Sequence, residues 1–463
     1  MPRNRPSNDD TNTLKVGVIH LATEGIQLFV GGVGSFIRGQ VEALPEVIEL
    51  LAAHHIILQP HFIEIACSRY HCSFNEERRA HYIRHIQAMG GSFSTVPNMT
   101  MGNSANCSWP YGDAFLGNLQ NWQVSSAAGA AKIIDICANY DITLAFCHEL
   151  PFSLTPLIAR LQAAIEGVNL KVIFVSHGTA FNHEMPLPNP ERLMAESLPV
   201  HWAKIDTNIK LGFISQFMAT HLVAEYGADP QGFVPVLAGI DIDDPWFRLR
   251  SDQVISHTLL KYGIPLDRPL AITLGRGVQY KRHDLLLKAS CLLNNDIHPV
   301  IVSDPVLPEL IHLAQSTQLA QSTQLASQLA SPPTIINSFD RELMACLIQW
   351  HNTRVCVLSA ENEPNGLIPM EARWLARKQG ALLVVADSGG LSEQVTPGID
   401  GFRHIAGDAE NLACVIQQIC TLSDVEISHI RQAGAALIKA RYQWKNQIMA
   451  SLASLIPEIA TLH

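Results

Sequence analysis

The chain has 463 residues, of which 47% are apolar and 16% charged, with a formal net charge of −10. That length exceeds what one hydrophobic core usually serves, so two or three domains are expected. The acidic balance argues against a general nucleic-acid binder, which needs a basic footprint, and an anionic ligand would need a local cationic pocket.

Residues 1–13 are polar and rich in Pro and Asn; they lack the apolar core of a signal peptide and are expected to be a disordered lead-in. The first predicted strand is Lys15–Leu21. The loop after it ends in Gly31-Gly32-Val33-Gly34, and Phe36, Ile37, Val41 and Leu44 then mark one face of a helix. Further predicted strands are Ile56–Leu58, Ile142–Phe146, Val172–Ser176, Leu211–Ser215 and Phe233–Leu237. Helical stretches such as Ala127–Ala138 and the one from Phe217 lie between them. Arg78-Arg79-x-His81-Tyr82-x-Arg84-His85 is a basic, partly amphipathic helix, either a solvated face or a peripheral membrane contact. Ala238–Pro245 is turn-rich and marks a domain junction.

A second alternation starts near Pro269. Leu270–Leu274 is a predicted strand and Lys281–Leu293 a helix, and Pro299–Val302, Thr334–Ile336, Val355–Leu358 and Ala381–Ala386 supply four more strands. Leu313–Gln318 is repeated at Leu319–Gln324 and again, degenerately, to Ser331. The repeat is too short for a solenoid and reads as a lengthened surface helix or loop. The expected fold class is therefore α/β, with two parallel-sheet domains facing across a cleft. The expected segments are 1–13, 14–245, 246–440 and a C-terminal stretch 441–463.

No apolar run reaches about 18 residues, so no membrane span is expected. Ten cysteines are scattered without a Cys-x-x-Cys pair. That supports neither a disulfide framework nor a zinc ribbon, and reduced thiols in a cytoplasmic protein are the reading. His71 between Cys67 and Cys72 has no second ligand pair, so no metal is expected.

The residue pattern most suggestive of chemistry is Glu363-Pro-Asn-Gly-Leu-Ile-Pro-Met-Glu371. It follows the strand Val355–Leu358 and precedes a helix. Glu363 then falls in a loop at the carboxyl end of a strand, which in an open α/β sheet is where ligands bind. A carboxylate there accepts two hydrogen bonds from neighbouring hydroxyls, and the helix N-terminus beside it suits a phosphate. Gly275-Arg276-Gly277-Val278-Gln279-Tyr280-Lys281 follows the second domain's first strand. Arg276 offers a planar fork and Lys281 a compact charge to the same crevice, enough to offset a diphosphate. A ligand carrying hydroxyls and phosphates fits, and a nucleotide sugar is the simplest.

Gly-Arg-x4-Lys, then Ser359-x3-Glu363-Pro-x-Gly-Leu-x3-Glu371-Ala, then Asp387-Ser388-Gly389-Gly390-Leu391-Ser392-Glu393, resembles the donor domain of retaining GT-B glycosyltransferases, family 4 above all. Gly31–Gly32, His177 after a buried strand and Ser215 opening a helix are similar to the first domain of that family. The resemblance implies two Rossmann-like domains, with a C-terminal helix crossing back to the first. It implies that Arg276 and Lys281 bind the diphosphate and stabilise the leaving nucleotide, and that Glu371 takes the ribose hydroxyls. It further implies that Glu363 holds sugar hydroxyls, that backbone N–H groups of Asn365, Gly366 and Leu367 support sugar or phosphate, and that His177 contacts the sugar. Gly31 and Gly32 would let backbone approach the donor and acceptor. His148 and Glu149 are weaker acceptor-side candidates. The implied catalytic set is His177, Arg276, Lys281 and Glu363, without metal or other cofactor.

Four features depart from the family pattern: Asn365 stands where Phe is usual, Ala238 precedes Gly239, Ser303-Asp304-Pro305 replaces a Gly-rich loop, and the helix after Glu371 reads as running to Gln379. The expected partners are a nucleotide-sugar donor and a small-molecule, saccharide or lipid acceptor, with no nucleic acid. Alternatives on the same fold are a nucleotide-sugar-binding protein without transferase activity, an epimerase, or a phosphorylase. Gly32-Val33-Gly34 begins a dinucleotide fingerprint, but Ile37 stands at its third glycine position.

Overall fold

The computed structural model describes residues 13–29, 31–67, 69, 74–97, 119–184, 186–293, 297–319, 332–338 and 340–462. His71, Cys72 and the repeat from 320 to 331 lie outside the described residues, as do residues 1–12 of the predicted lead-in. The chain divides into two compact units, Met1–Ile214 with Ala219–Leu237 and Trp444–His463, and Ser215–Met218 with Ala238–Gln443.

The first unit carries seven strands: β1 (Leu14–Ala22), β2 (Ile56–Ile65), β3 (Ser92–Val96), β4 (Ile142–His148), β5 (Leu170–Val175), β6 (Ile209–Phe213) and β7 (Phe233–Pro235). They pair in the order β3-β2-β1-β4-β5-β6-β7, every pair parallel. β1 and β4 are nearly continuous apolar runs because helices cover both faces of the sheet. Ile19, Leu21, Ile63, Ala145 and Phe174 lie in the core beneath the helices Leu119–Cys137 and Thr155–Glu166. The helix Trp444–Ala453 belongs to this unit, where the Trp444 ring meets Phe36 edge-on at 5.1 Å.

The second unit carries β8 (Leu270–Arg276), β9 (His298–Asp304), β10 (Thr334–Asn337), β11 (Thr353–Leu358), β12 (Leu382–Ala386) and β13 (Phe402–His404). Their order is β10-β9-β8-β11-β12-β13, again all parallel. Ala271, Ile301, Val355, Val357 and Val384 form its core with Leu285 and Leu287 from the helix Asp284–Leu292 and Ile416 from Ala409–Cys420. Both sheets are thus Rossmann-like. In each, strand order reverses about a central pair, β1/β4 and β8/β11, and the carboxyl edge of such a pair opens a crevice.

Two helix bounds expected from sequence are corrected, and two strands, β3 and the three-residue β13, were not expected from it. The edge strand β3, with the polar sequence SFSTV and mostly open burial, carries no apolar run to announce it. The helix expected from Lys281 begins at Asp284, because Gln279–Lys281 winds as a 3-10 turn and Arg282 takes φ +49°. The helix after Glu371 ends at Leu375 and does not run to Gln379. Among the described residues no helix is long and apolar enough to cross a membrane.

Candidate active site

The second unit's switch point brings two sequence-predicted residues together. Lys281 leaves the 3-10 turn after β8, Glu363 leaves the loop after β11, and Lys281 Nζ donates to Glu363 Oε2 at 2.5 Å. Their side chains are only 17% and 12% exposed. Burial opposes charge on Lys281, but the Glu363 carboxylate outweighs it and holds the ammonium above its ordinary pKa. Arg276 sits exposed at the end of β8, and its guanidinium makes no ion pair among the described residues.

His283 fixes the backbone at that point. Its Nε2 lies 3.1 Å from the Arg276 carbonyl, and its Nδ1 lies 3.1 Å from Thr273 Oγ1. A carbonyl only accepts, so Nε2 carries the proton and Nδ1 accepts from the threonine hydroxyl. Burial lowers the His283 pKa to about 4, with Lys281 adding to the effect and the Arg276 carbonyl opposing it. The ring is therefore a neutral tie between β8 and the turn that aims Arg276.

The Glu363 loop is clamped from below. Gly389 has φ +58°, and a Cβ there would lie 2.5 Å from the Glu363 carbonyl oxygen. Gly390 N–H donates to that carbonyl at 2.7 Å. Gln394, buried, donates from Nε2 to the carbonyls of Asn365 at 2.6 Å and Gly366 at 3.1 Å. Asn365, the departure from the family pattern, accepts from the same nitrogen through Oδ1 at 3.2 Å. Gly366 takes φ +84°, and Leu367 opens the helix Ile368–Leu375 with no side-chain cap on its first turn. This helix start has no side-chain cap; Pro369 lacks an N–H and Met370 N donates to the Leu367 carbonyl at 3.0 Å, so it is the N–H groups ahead of Pro369 that suit an anion. Glu371 lies in that first turn; burial pushes its carboxyl upward, Arg341 opposes the shift and Asp244 adds to it.

The first unit's switch point carries the other candidates. Gly31 opens the helix Gly31–Ala52 with φ +71°, and a Cβ there would lie 2.1 Å from Glu24 Oε1. That same oxygen accepts from Gly34 N at 2.8 Å, so the acidic side chain fits the helix start only because Gly31 has none. At Gly32 a Cβ would meet nothing within 4 Å. Glu64, buried, accepts from Ile26 N at 2.5 Å and Gln27 N at 2.9 Å and holds the loop.

His177 follows β5 and is partly buried, with its backbone N–H donating to Glu149 Oε1 at 2.9 Å. The acceptor-side candidates His148 and Glu149 lie at the end of β4 and directly after it. Both are buried: His148 ends β4 beneath His177, and the Glu149 carboxylate is engaged by the His177 backbone. Burial raises the Glu149 carboxyl to about 7, partly offset by Arg192 and by the His177 N–H. Beneath His148 lies His20, inside the apolar run of β1. Gln394, His283 and His20 are thus site residues that the sequence does not single out. Among the described residues no group of three or more His, Cys, Asp or Glu is placed to hold a metal ion.

Residues 259–433 match the Glycosyl transferases group 1 family. A D-inositol 3-phosphate glycosyltransferase of Geodermatophilus obscurus is 26% identical over 251 residues, 51% of this chain and 50% of that protein. One of the same name from Thermomonospora curvata is 27% identical over 43% of this chain and 46% of its own length. The chain thus spans about half the length of the curated relatives it matches.

Among solved structures, a glycosyltransferase of Rickettsia africae superposes with TM-score 0.63 at 18% identity, covering 98% of this chain and all of that one. Anabaena HepE in complex with UDP and glucose gives 0.60 at 17%, over 96% and 100%. Sucrose-phosphate synthase of Thermosynechococcus elongatus gives 0.64 at 15%, over 97% and 100%. The chain has the fold of the GT-B glycosyltransferases, and its residues 259–433 match the model of glycosyl transferases group 1.

Proposed function

We propose that this chain transfers a sugar from a nucleoside diphosphate sugar to an acceptor, with retained anomeric configuration. The observation that carries the reading is the Lys281–Glu363 pair at the carboxyl edge of β8 and β11, beside an uncapped helix start. Lys281 and Arg276 stabilise the charge that develops on the departing diphosphate, and electrostatic stabilisation of this kind usually contributes most to the rate. Glu363 and the backbone of Asn365–Leu367 hold the sugar, and Glu371 the ribose. HepE, a structural neighbour, was solved with UDP and glucose, which supports a nucleotide-sugar donor here.

Double displacement needs a carboxylate nucleophile at the anomeric carbon. Glu363 is paired with Lys281 and Glu149 is buried, which favours a front-face reaction in which the leaving phosphate takes the acceptor's proton. His177 is assigned to a hydroxyl of the sugar or acceptor, and no metal or other cofactor is needed. The acceptor is a small molecule, saccharide or lipid, and the setting is the cytoplasm. The test is release of nucleoside diphosphate from UDP-, GDP- and ADP-sugars by the purified protein. Activity with one donor, lost in Lys281→Ala and Glu363→Ala, is expected; no release from any donor would leave only a sugar-nucleotide-binding role.

A further inference from the structure

Three imidazoles run in line through the first unit. His20 Nδ1 lies 3.1 Å from His148 Nε2, and His148 Nδ1 lies 2.9 Å from His177 Nε2. Aromatic rings hold the line: His20 stacks between Phe62 and Phe146 at 5.3 and 5.0 Å, and Phe36 packs at 5.4 Å from both His148 and His177. His20 is 4% exposed and His148 not at all, whereas His177 is partly open. His20 Nε2 and His177 Nδ1, the two outer nitrogens, make no hydrogen bond among the described residues. A cavity of about 10 Å³, lined in part by His20, Gln40 and Ser451, lies at the buried end.

The proton count of this line is constrained. Three neutral imidazoles have six ring nitrogens and three protons. Each of the two N···N contacts needs one proton between its nitrogens, since two bare lone pairs or two N–H groups would repel at that distance. One proton is left for the two outer nitrogens. If His177 Nδ1 has it, every bridge donates toward His177 and His20 Nε2 is bare; if His20 Nε2 has it, every bridge runs the other way and His177 Nδ1 is an acceptor. Burial keeps the rings neutral, lowering His20 and His177 to about 3 and His148 well below the ordinary histidine value.

We propose that His20 is a positioning residue which, acting through His148, fixes the ring nitrogen of His177 that carries the proton. The outer face of His177 is then a hydrogen-bond donor or acceptor according to a group it does not touch. What this does for catalysis rests on the transferase reading, where it decides whether His177 offers a proton to a sugar oxygen or takes one from a hydroxyl; the relay itself does not.

The test is nitrogen-15 NMR of histidine-labelled protein at pH 8, with long-range proton correlations assigned by His177→Gln and His20→Phe. In the unsubstituted protein the protonated fractions of His20 Nε2 and His177 Nδ1 should add to one. Both nitrogens protonated, or both bare, would overturn the proposal without any variant having to fold. His20→Phe keeps the stack between Phe62 and Phe146 and removes the buried nitrogens. It should change the tautomer ratio of His177 by about threefold or more. His177 unchanged while His148 alone responds would overturn it too, by showing that His148 insulates His177. No donor or acceptor enters these spectra, so the relay and the transferase reading fail separately.

Discussion

Replacing Lys281 by Met and Glu363 by Gln, singly and together, tests whether the pair acts as one charged unit. The two charges meet at 2.5 Å with 17% and 12% of their side chains exposed. Removing one partner of a buried pair leaves the other uncompensated, at about 3–5 kcal/mol; the residual exposure reduces this to about 2–3 kcal/mol for each single variant. The double variant should cost little more than either single one, so the coupling energy is about 2 kcal/mol. Urea denaturation of the four proteins at pH 7 gives the cycle. Repeating it at rising pH adds a signed check. Lys281 has its pKa raised on folding, so its contribution is complete below the ordinary lysine value of 10.5 and is lost as pH climbs through the folded value. Single costs that add to within about 0.5 kcal/mol would refute the coupling.

Glu149→Gln should be more stable relative to the parent at pH 8 than at pH 5. The Glu149 carboxyl is raised from 4.5 to about 7 on folding, chiefly by burial, so the parent loses stability as pH rises through that window, by roughly 3 kcal/mol at most. Denaturation curves at the two pH values check the sign. Gly389→Ala places a Cβ 2.5 Å from the Glu363 carbonyl oxygen at φ +58°, and should cost about 2 kcal/mol or more and weaken donor binding. Gly263→Ala, at φ +68° with nothing within 4 Å, should cost only about 1 kcal/mol and leave binding alone. Gln394→Leu removes the donor that ties the Asn365 and Gly366 carbonyls, and should raise KM for the donor sugar more than it shifts the melting temperature. Equal effects on both would show that Gln394 serves only stability.

Much of the fold was legible because both sheets are all parallel. Their strands are buried on two faces and read as apolar runs bounded by turn residues, as in Leu270–Leu274 and Val355–Leu358. The strands missed were β3, a polar edge, and β13, three residues long. At the site, Lys281 and Glu363 were legible from their place after strands and from the family resemblance. Gln394 was not, because it acts on backbone carbonyls, which leave no trace in sequence. His20 was hidden for a different reason. A single histidine in an apolar strand reads as a core residue, and only the register of β1 against β4 puts it beside His148.

If Arg276, Lys281 and Glu363 grip a diphosphate sugar, the most direct measurement is the melting temperature of the protein with UDP-, GDP- and ADP-sugars, beside Lys281→Ala. One donor at about a hundred times its Kd should add roughly 2.7 kcal/mol of stability to the parent and nearly none to the variant. Melting curves unmoved by all three donors, or a shift that survives in Lys281→Ala, would contradict it.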